Sequence, residues 1–202
     1  MSSIFQRYDV IGLIKLIVSW IVTKIFFRPA RLIRMPNYIR GKNSISWGVG
    51  FTTGVGVRLD AFSRSNLKTQ LIVIGERVQI NDYVHIGAIE SIRIGNDVLI
   101  ASKVFISDHN HGRYNQVDVM SGPDIPPTVR PLFSSPVIIE DRVWIGENVC
   151  IMPGVIIGKG AIIGAGSVVT HNIPAESIAV GVPAKVIKLY NRELKEWMKF
   201  ES

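Results

Sequence analysis

With 202 residues and 47% hydrophobic content the chain is long and apolar enough for a sizeable core, and its single cysteine, Cys150, excludes an intramolecular disulfide framework and suits a reducing compartment. The net charge of +7 sits at one end: residues 1–42 hold eight Lys/Arg against Asp9 alone, while the other 160 residues balance at 15 of each sign. A basic protein invites nucleic acid, but no nucleic-acid motif occurs and the bulk of the chain is neutral, so a nucleic-acid partner is not expected.

Inside the basic segment, Val10 to Phe27 reads VIGLIKLIVSWIVTKIFF. On a helical wheel Gly12, Lys15, Ser19 and Thr23 form one narrow polar stripe, and the rest is large and apolar. The longest uncharged run, Leu16–Thr23, falls far short of the roughly 20 residues that span a bilayer. Internal lysines and the lack of a small-residue cleavage site argue against a secretory signal. The expectation is an amphipathic helix lying in a membrane surface, with Arg28, Arg31 and Arg34 on anionic headgroups. The competing expectation is a helix packed on the rest of the chain or on a neighbouring subunit. Residues 1–42 are therefore taken as a membrane-interfacial unit.

From residue 43 the pattern changes. Ile45, Phe51 and Val57, with Val49 and Val55, read as a degenerate first coil. Ile74, Ile80 and Ile86 follow with partners Ile72, Val78 and Val84, then Ile94, Ile100 and Ile106 with Ile92, Val98 and Val104. Between Ile139 and Val169 an aliphatic recurs at every sixth position, each preceded two residues earlier by Val137, Val143, Val149, Val155, Ala161 or Ser167. A period of six fits neither helix nor alternating strand. It fits a coil with three equal sides, each a short strand and a corner, where Gly146, Gly158 and Gly164 would serve tight bends. About five such coils stack into a parallel β-helix over residues 43–187, since one repeat cannot bury its own apolar face. The register slips after Val57, after Ile86 and after Ile106.

The last slip is large: Ile106 to Ile139 takes 27 residues more than one side requires. Residues 107–136 carry five of the ten prolines and open on Asp108-His109-Asn110-His111, two of the four histidines. A loop this long in a repeat domain is a place for chemistry, and paired histidines flanked by Asp and Asn are candidates for it. Cys150, just before Ile151, is expected to point outward and to be structural. Trp144, just before Ile145, is expected to point outward into a groove between subunits. Residues 188–202 are expected to close the chain as a short helix.

The hexapeptide ladder, the DHNHG loop, WIGENVCIMPGVIIGKGAIIGAGSVV and GVPAKVIK together resemble the left-handed β-helix acyltransferases. Within them the chain is most similar to the sugar O-acetyltransferases of lipopolysaccharide O-antigen biosynthesis, including the stretches YIR and FTTGVGVRLDAF, over roughly residues 28–190. The all-β fold follows from the spacing; the resemblance, and not the spacing, implies the left hand of the coil, with acetyl-CoA as cosubstrate and no metal. It also implies a homotrimer with the donor between subunits, and a saccharide acceptor that is free, nucleotide-linked or lipid-linked. It assigns the general base to His111, counting without gaps from Ile106, with His109 as the alternative if the loop shifts by two. Asn81 is implied to orient the acceptor, with Asp82, His85, Asp108 and Trp144 completing the substrate set. Coenzyme A is implied to run past Glu147, Ala165, Thr170, His171, Lys185 and Lys188, the two lysines serving its phosphates. Because acetyl-CoA is cytoplasmic, the resemblance and the basic helix together imply a peripheral protein on the inner face of the bacterial cytoplasmic membrane.

Three other readings stay open. An amino-sugar N-acyltransferase on the same fold is chemically adjacent. A zinc lyase like the γ-class carbonic anhydrases needs three converging histidines, for which His85, His109 and His111 can be imagined, but the long loop and GVPAKVIK favour a transferase. A non-catalytic scaffold needs no polar cluster at its groove.

Overall fold

The structure, a computed structural model, describes residues 8–62, 69–114 and 119–200. Residues 1–7 of the basic segment, 63–68 in the first register slip, 115–118 of the long loop and 201–202 of the expected C-terminal helix lie outside the described residues. The body is a left-handed parallel β-helix with three faces. Its first face stacks Thr52–Thr53, Gln79–Ile80, Leu99–Ile100, Trp144–Ile145, Ile162–Ile163 and Ser177–Val180 in parallel. The second stacks Tyr38–Arg40, Arg58–Ala61, His85–Ala88, Phe105–Ser107, Cys150–Ile151 and Val168–Val169. The third stacks Ile45–Trp47, Ile72–Ile74, Ile92–Ile94, Val137–Ile139 and Ile156–Ile157. Each turn of chain visits the third, first and second face in that order.

The six-residue period builds this prism because one aliphatic per side points inward and stands in register with its equivalent one coil away. Ile80, Ile100, Ile145 and Ile163 form one such column and are fully buried. Each buried isoleucine contributes about 1.5–3 kcal/mol, so the ladder holds the coil together. The predicted partners are inside as well, down to Ala161 and Ser167 at 0% exposure. The exceptions lie in the degenerate first coil, where Val49 is 60% exposed and Val55 is only partly buried while Phe51 fills the interior.

The glycines that follow the aliphatics act differently from expectation. A Cβ on Gly146 would stand 2.5 Å from the Ala165 nitrogen, and one on Gly158 2.4 Å from that of Ala175. Close stacking of successive corners excludes a side chain there. The left-handed turn itself falls two residues later, on Asn148 at φ 57° and Gly160 at φ 70°.

All three register slips emerge at one edge, the corner between the second and third faces. The long loop is tied down there by an antiparallel ribbon of His109–His111 with Leu132–Ser134. Among the described residues the expected C-terminal helix is absent. Lys185–Asn191 pairs antiparallel with Ser177–Val180 and then with Glu196–Lys199. Asn191 Oδ1 accepts the Glu193 and Leu194 N–H groups and so fixes a turn where a helix would continue, and Tyr190 packs edge-on against Trp197 across the hairpin.

The first coil begins earlier than residue 43: Ala30 and Ile33 lie in the core and Leu32 bridges Thr52. Ahead of it, α1 (Val10–Phe26) starts at Asp9, whose carboxylate accepts the Gly12 N–H at 2.7 Å. At its end the Phe26 carbonyl accepts from Lys42 Nζ at 2.5 Å and the Lys24 carbonyl from Arg28 Nε at 2.9 Å. Its polar stripe is the face that packs on the coil. Thr23 Oγ1 accepts the Ile33 N–H at 2.8 Å, Ser19 Oγ accepts the Met35 N–H at 3.1 Å, and both residues are buried. The apolar face is turned away, with Ile11, Ile14, Ile17, Trp20, Ile21 and Ile25 between 45% and 64% exposed. No helix among the described residues is long and apolar enough to cross a membrane.

Candidate active site

On the second face, residues two apart along a strand point outward and stand beside their equivalents on the next coil. One outward column runs Arg58, His85, Phe105 and Cys150; another runs Arg40, Asp60, Gly87 and Ser107. Asp60 is only 1% exposed because three side chains close over it. Arg40 donates Nε to Oδ1 at 2.6 Å and Nη2 to Oδ2 at 2.8 Å, Arg58 donates Nε to Oδ2 at 2.6 Å, and His85 Nε2 lies 3.2 Å from Oδ2. Burial pushes the Asp60 carboxyl up, but the two guanidiniums outweigh it and hold it below the usual carboxylate range. For His85, burial first and the Arg58 charge second push the imidazole below its ordinary value, against the pull of Asp60, so it is neutral at pH 7.

At the edge of the same face the chain leaves Ser107 for the long loop, and Asp108 turns inward. Its carboxylate, fully buried, accepts the N–H groups of Ile89, Glu90 and Ser91 at 2.8–3.1 Å. These donors come from the two-residue register slip after Ile86, so the small insertion serves to hold the start of the large one. The Asp108 carboxyl lies below its ordinary value: burial opposes this, and His109 with the three backbone donors outweighs burial. His109 Nδ1 is 2.9 Å from Asp108 Oδ1, which orients the ring and leaves Nε2 turned elsewhere. A Cβ added to Gly87 would lie 3.7 Å from both His109 Cε1 and His85 Nε2, so the missing side chain leaves a space flanked by two imidazoles.

His111 is two residues farther along the ribbon and exposed, with Nδ1 3.1 Å from the Pro127 carbonyl. The neighbouring cavity, about 460 Å³, is lined by Asn110, Gly112, Arg113, Tyr114 and Phe133 among others. Asn81 and Asp82 are elsewhere, on the corner between the first and second faces, in a groove of about 540 Å³ with Arg31, Arg34 and Thr53. Asp82 Oδ1 accepts the Val55 N–H at 2.8 Å and so stitches two corners together. Glu147 and Ala165 stack along that same corner, joined by the Gly166 N–H on the Glu147 carbonyl. Thr170 and His171, with Oγ1 and Nδ1 2.8 Å apart, lie on the other corner, below the His109 loop. Lys185 and Lys188 are exposed on the terminal hairpin, opposite Val180 and Ile178. Trp144 faces outward on the first face between Leu99 and Ile162, half exposed, and Cys150 faces outward on the second.

Of the residues singled out in the sequence, His85, Asp108 and His109 converge toward one corner and Asn81, Glu147 and Ala165 stand at the other, while Trp144 lies on the first face and the two lysines on the hairpin. Sequence reasoning missed Arg40, Asp60, Arg58 and Gly87. The signal available was their outward register on strands next to His85, which a period-six reading of the inward positions passes over.

Along the ridge of Gly146, Ala165 and Gly166, Gly166 has nothing within 4 Å of where a Cβ would stand, and Lys185 stands opposite Val180 where the chain leaves this ridge for the hairpin. Among the described residues no group of three or more metal-ligating side chains comes together.

Residues 136–171 match the family model for the bacterial transferase hexapeptide of six repeats. A protein of Escherichia coli (strain K12) that carries the name lipopolysaccharide biosynthesis O-acetyl transferase WbbJ is 53% identical over 194 residues, covering 96% of each chain. A Mycobacterium tuberculosis protein named as an acetyltransferase is 37% identical over 123 residues, 61% of this chain and 36% of that one. A crystal structure of a mutant of AntD, an N-acyltransferase from Bacillus cereus, holds dTDP-4-amino-4,6-dideoxyglucose and coenzyme A. It superposes with a TM-score of 0.68 at 26% identity, covering 86% of this chain and 89% of that one.

Proposed function

The chain belongs to the hexapeptide-repeat bacterial transferases, and from that premise we propose that it carries an acetyl group from acetyl-CoA to a sugar hydroxyl in lipopolysaccharide O-antigen or a related surface polysaccharide. The observation that carries this reading is the Asp108–His109 pair set beside Gly87, whose missing side chain leaves a gap between the His109 and His85 rings. A sugar hydroxyl is a poor nucleophile until its proton leaves as the new bond forms. Acetyl-CoA supplies the thioester carbon that is attacked. With its Nδ1 proton donated to Asp108, His109 has a lone pair on Nε2 to take the hydroxyl proton, and it later returns that proton to the departing sulfur. Such a base accelerates transfer about 10²–10⁴-fold. His85, neutral and fixed by Asp60, lines the other side of the acceptor space. His111 is the second reading: the Pro127 carbonyl orients its ring in the same manner, but without a buried carboxylate behind it.

The division of the site between two corners supports a closed assembly. A heterologous contact that sets the Asn81 corner of one copy against the His109 corner of the next closes into a ring, and a homotrimer gives three equivalent sites. Asn81, Glu147, Ala165, Lys185 and Lys188 would then serve acceptor and coenzyme A from the adjoining copy. The half-exposed Trp144 and Leu99 fit the same buried seam.

The membrane reading rests on α1. A helix that buries its polar stripe against its own chain and turns isoleucines and Trp20 outward needs an apolar surroundings for that face. A membrane surface fits, since the same end of the chain carries the whole net charge. The enzyme would then sit on the inner face of the cytoplasmic membrane, where acetyl-CoA and a lipid-linked acceptor meet. The test is acetylation, by the full chain, of lipid-linked oligosaccharides from the host's surface polysaccharide.

A further inference from the structure

Arg40 and Arg58 both spend donors on one buried carboxylate. A single guanidinium, bidentate as Arg40 is, already satisfies the charge of Asp60; Arg58 adds a second and makes the cluster net cationic. Arg58 gives Asp60 only its Nε, and neither of its terminal nitrogens has an acceptor among the described residues, while its side chain is 46% exposed. Arg40 uses one edge of its fork and is steadied by Phe62, whose ring centroid is 5.0 Å from the guanidinium carbon. Two planar forks are thus anchored on one carboxylate, with the Arg58 terminal nitrogens left without an acceptor among the described residues. That is the geometry that binds phosphate oxygens with little further ordering.

The position matters as much as the charge. Asp60 stands opposite Gly87 in the ladder, one strand spacing, about 4.8 Å, from the space between the two imidazoles. Arg40 lies one strand beyond. Two residues after it, Lys42 Nζ donates to the Phe26 carbonyl at the end of α1 and lies 4.8 Å from the Phe27 ring centroid, so the pair is at the end of the coil that carries the outward-facing helix.

We infer that Arg40 and Arg58, braced by Asp60, form a subsite for a phosphate or diphosphate on the acceptor, one sugar ring away from the hydroxyl that His109 deprotonates. This deepens the acceptor reading above and rests on it. The phosphate is the shared chemistry of a nucleotide-linked and a polyprenyl-linked sugar, and the charge pair recognises it in either. Asp60 is a positioning residue in this account: it sets the two forks and touches no substrate.

The experiment measures binding apart from turnover. Inorganic pyrophosphate is titrated by calorimetry into the full chain saturated with coenzyme A, which blocks the donor's own phosphate contacts. The wild type should bind, Arg58→Gln should weaken binding at least tenfold, and Arg58→Lys should fall between, with coenzyme A affinity unchanged in both. Two further arms, dTDP in solution and vesicles doped with a polyprenyl diphosphate, identify the source: the tighter, Arg58-dependent ligand names the carrier. Pyrophosphate binding that ignores Arg58, or that disappears when coenzyme A is saturating, overturns the subsite. Loss of coenzyme A binding in Arg58→Gln also overturns it, because the arginine would then be holding the fold. Failure of acetyl transfer with intact Arg58-dependent pyrophosphate binding would instead refute the acetyltransferase reading alone.

Discussion

Substituting Ile14 and Ile21 of α1 together with serine tests what the outward face of that helix meets. The two lie one heptad apart on one side of the helix, 56% and 45% exposed, while the contacts that seat the helix come from Ser19 and Thr23 on the opposite side. Fully burying an isoleucine contributes about 1.5–3 kcal/mol, so the half still open on each accounts for about 1 kcal/mol when it enters a lipid interface. Removing both should cost about 2 kcal/mol, a roughly thirtyfold fall in the partition coefficient. The assay is sedimentation with vesicles of neutral and of anionic lipid across a salt series. The parent should bind anionic vesicles more tightly and lose only part of that binding in salt, since screening weakens Arg28, Arg31 and Arg34 but leaves the apolar face inserted. Melting temperature and acetylation of a soluble acceptor should not change. A parent that stays in the supernatant, or a double variant that partitions like the parent, refutes the reasoning. A double variant whose oligomeric mass falls shows that the face is covered by protein.

His109→Ala should lower kcat at least a hundredfold with coenzyme A affinity nearly unchanged, and His111→Ala should lower it less; steady-state kinetics with a titration of coenzyme A decides, and the reverse order exchanges their roles. Asp108→Asn should reduce kcat as well, since a neutral amide neither orients the ring nor stabilises an imidazolium, while the serine next to it, Ser107→Ala, should have a small effect. The Asp60 and Asp108 carboxyls both lie below their ordinary value in the folded chain. Their stabilisation is therefore complete above the unfolded value of about 3.9 and is lost as pH falls through the folded values; His85, also held below its ordinary value, loses its share as pH falls below about 6.5, so melting temperature should decline modestly below about 6.5 and drop steeply below about 4. Light scattering should give three times the chain mass, and a fully active monomer would contradict the two-corner account.

The coil was legible in the sequence because its physics is one-dimensional. An inward aliphatic is forced at each side, so Ile80, Ile100 and Ile145 could be placed without any knowledge of the fold, and the long loop announced itself as a failure of the count. Hand was not legible, since spacing is the same in either sense. The C-terminal hairpin was misread because Asn191 stops a helix through a side-chain turn that apolar periodicity does not register. The site was half legible. His109 and His111 stood out by composition, but the choice between them depends on which has a buried carboxylate behind it, and that depends on donors from the Ile89–Ser91 slip. The Arg40–Asp60–Arg58 cluster joins strands 18 to 20 residues apart through outward positions, and only the register of the second face brings these side chains together. The polar stripe of α1 was visible, yet which face it would bury was decided by unpaired backbone at Ile33 and Met35, which needs Thr23 and Ser19 more than the core needs isoleucine.

Incubating the full chain with labelled acetyl-CoA and the host's lipid-linked oligosaccharides, then treating the labelled product with mild alkali, separates ester from amide transfer. An alkali-labile acetyl ester on the saccharide, formed by the wild type and reduced at least a hundredfold by His109→Ala, is the result predicted. Label that survives alkali as an amide, or transfer that proceeds undiminished without His109, would contradict the account.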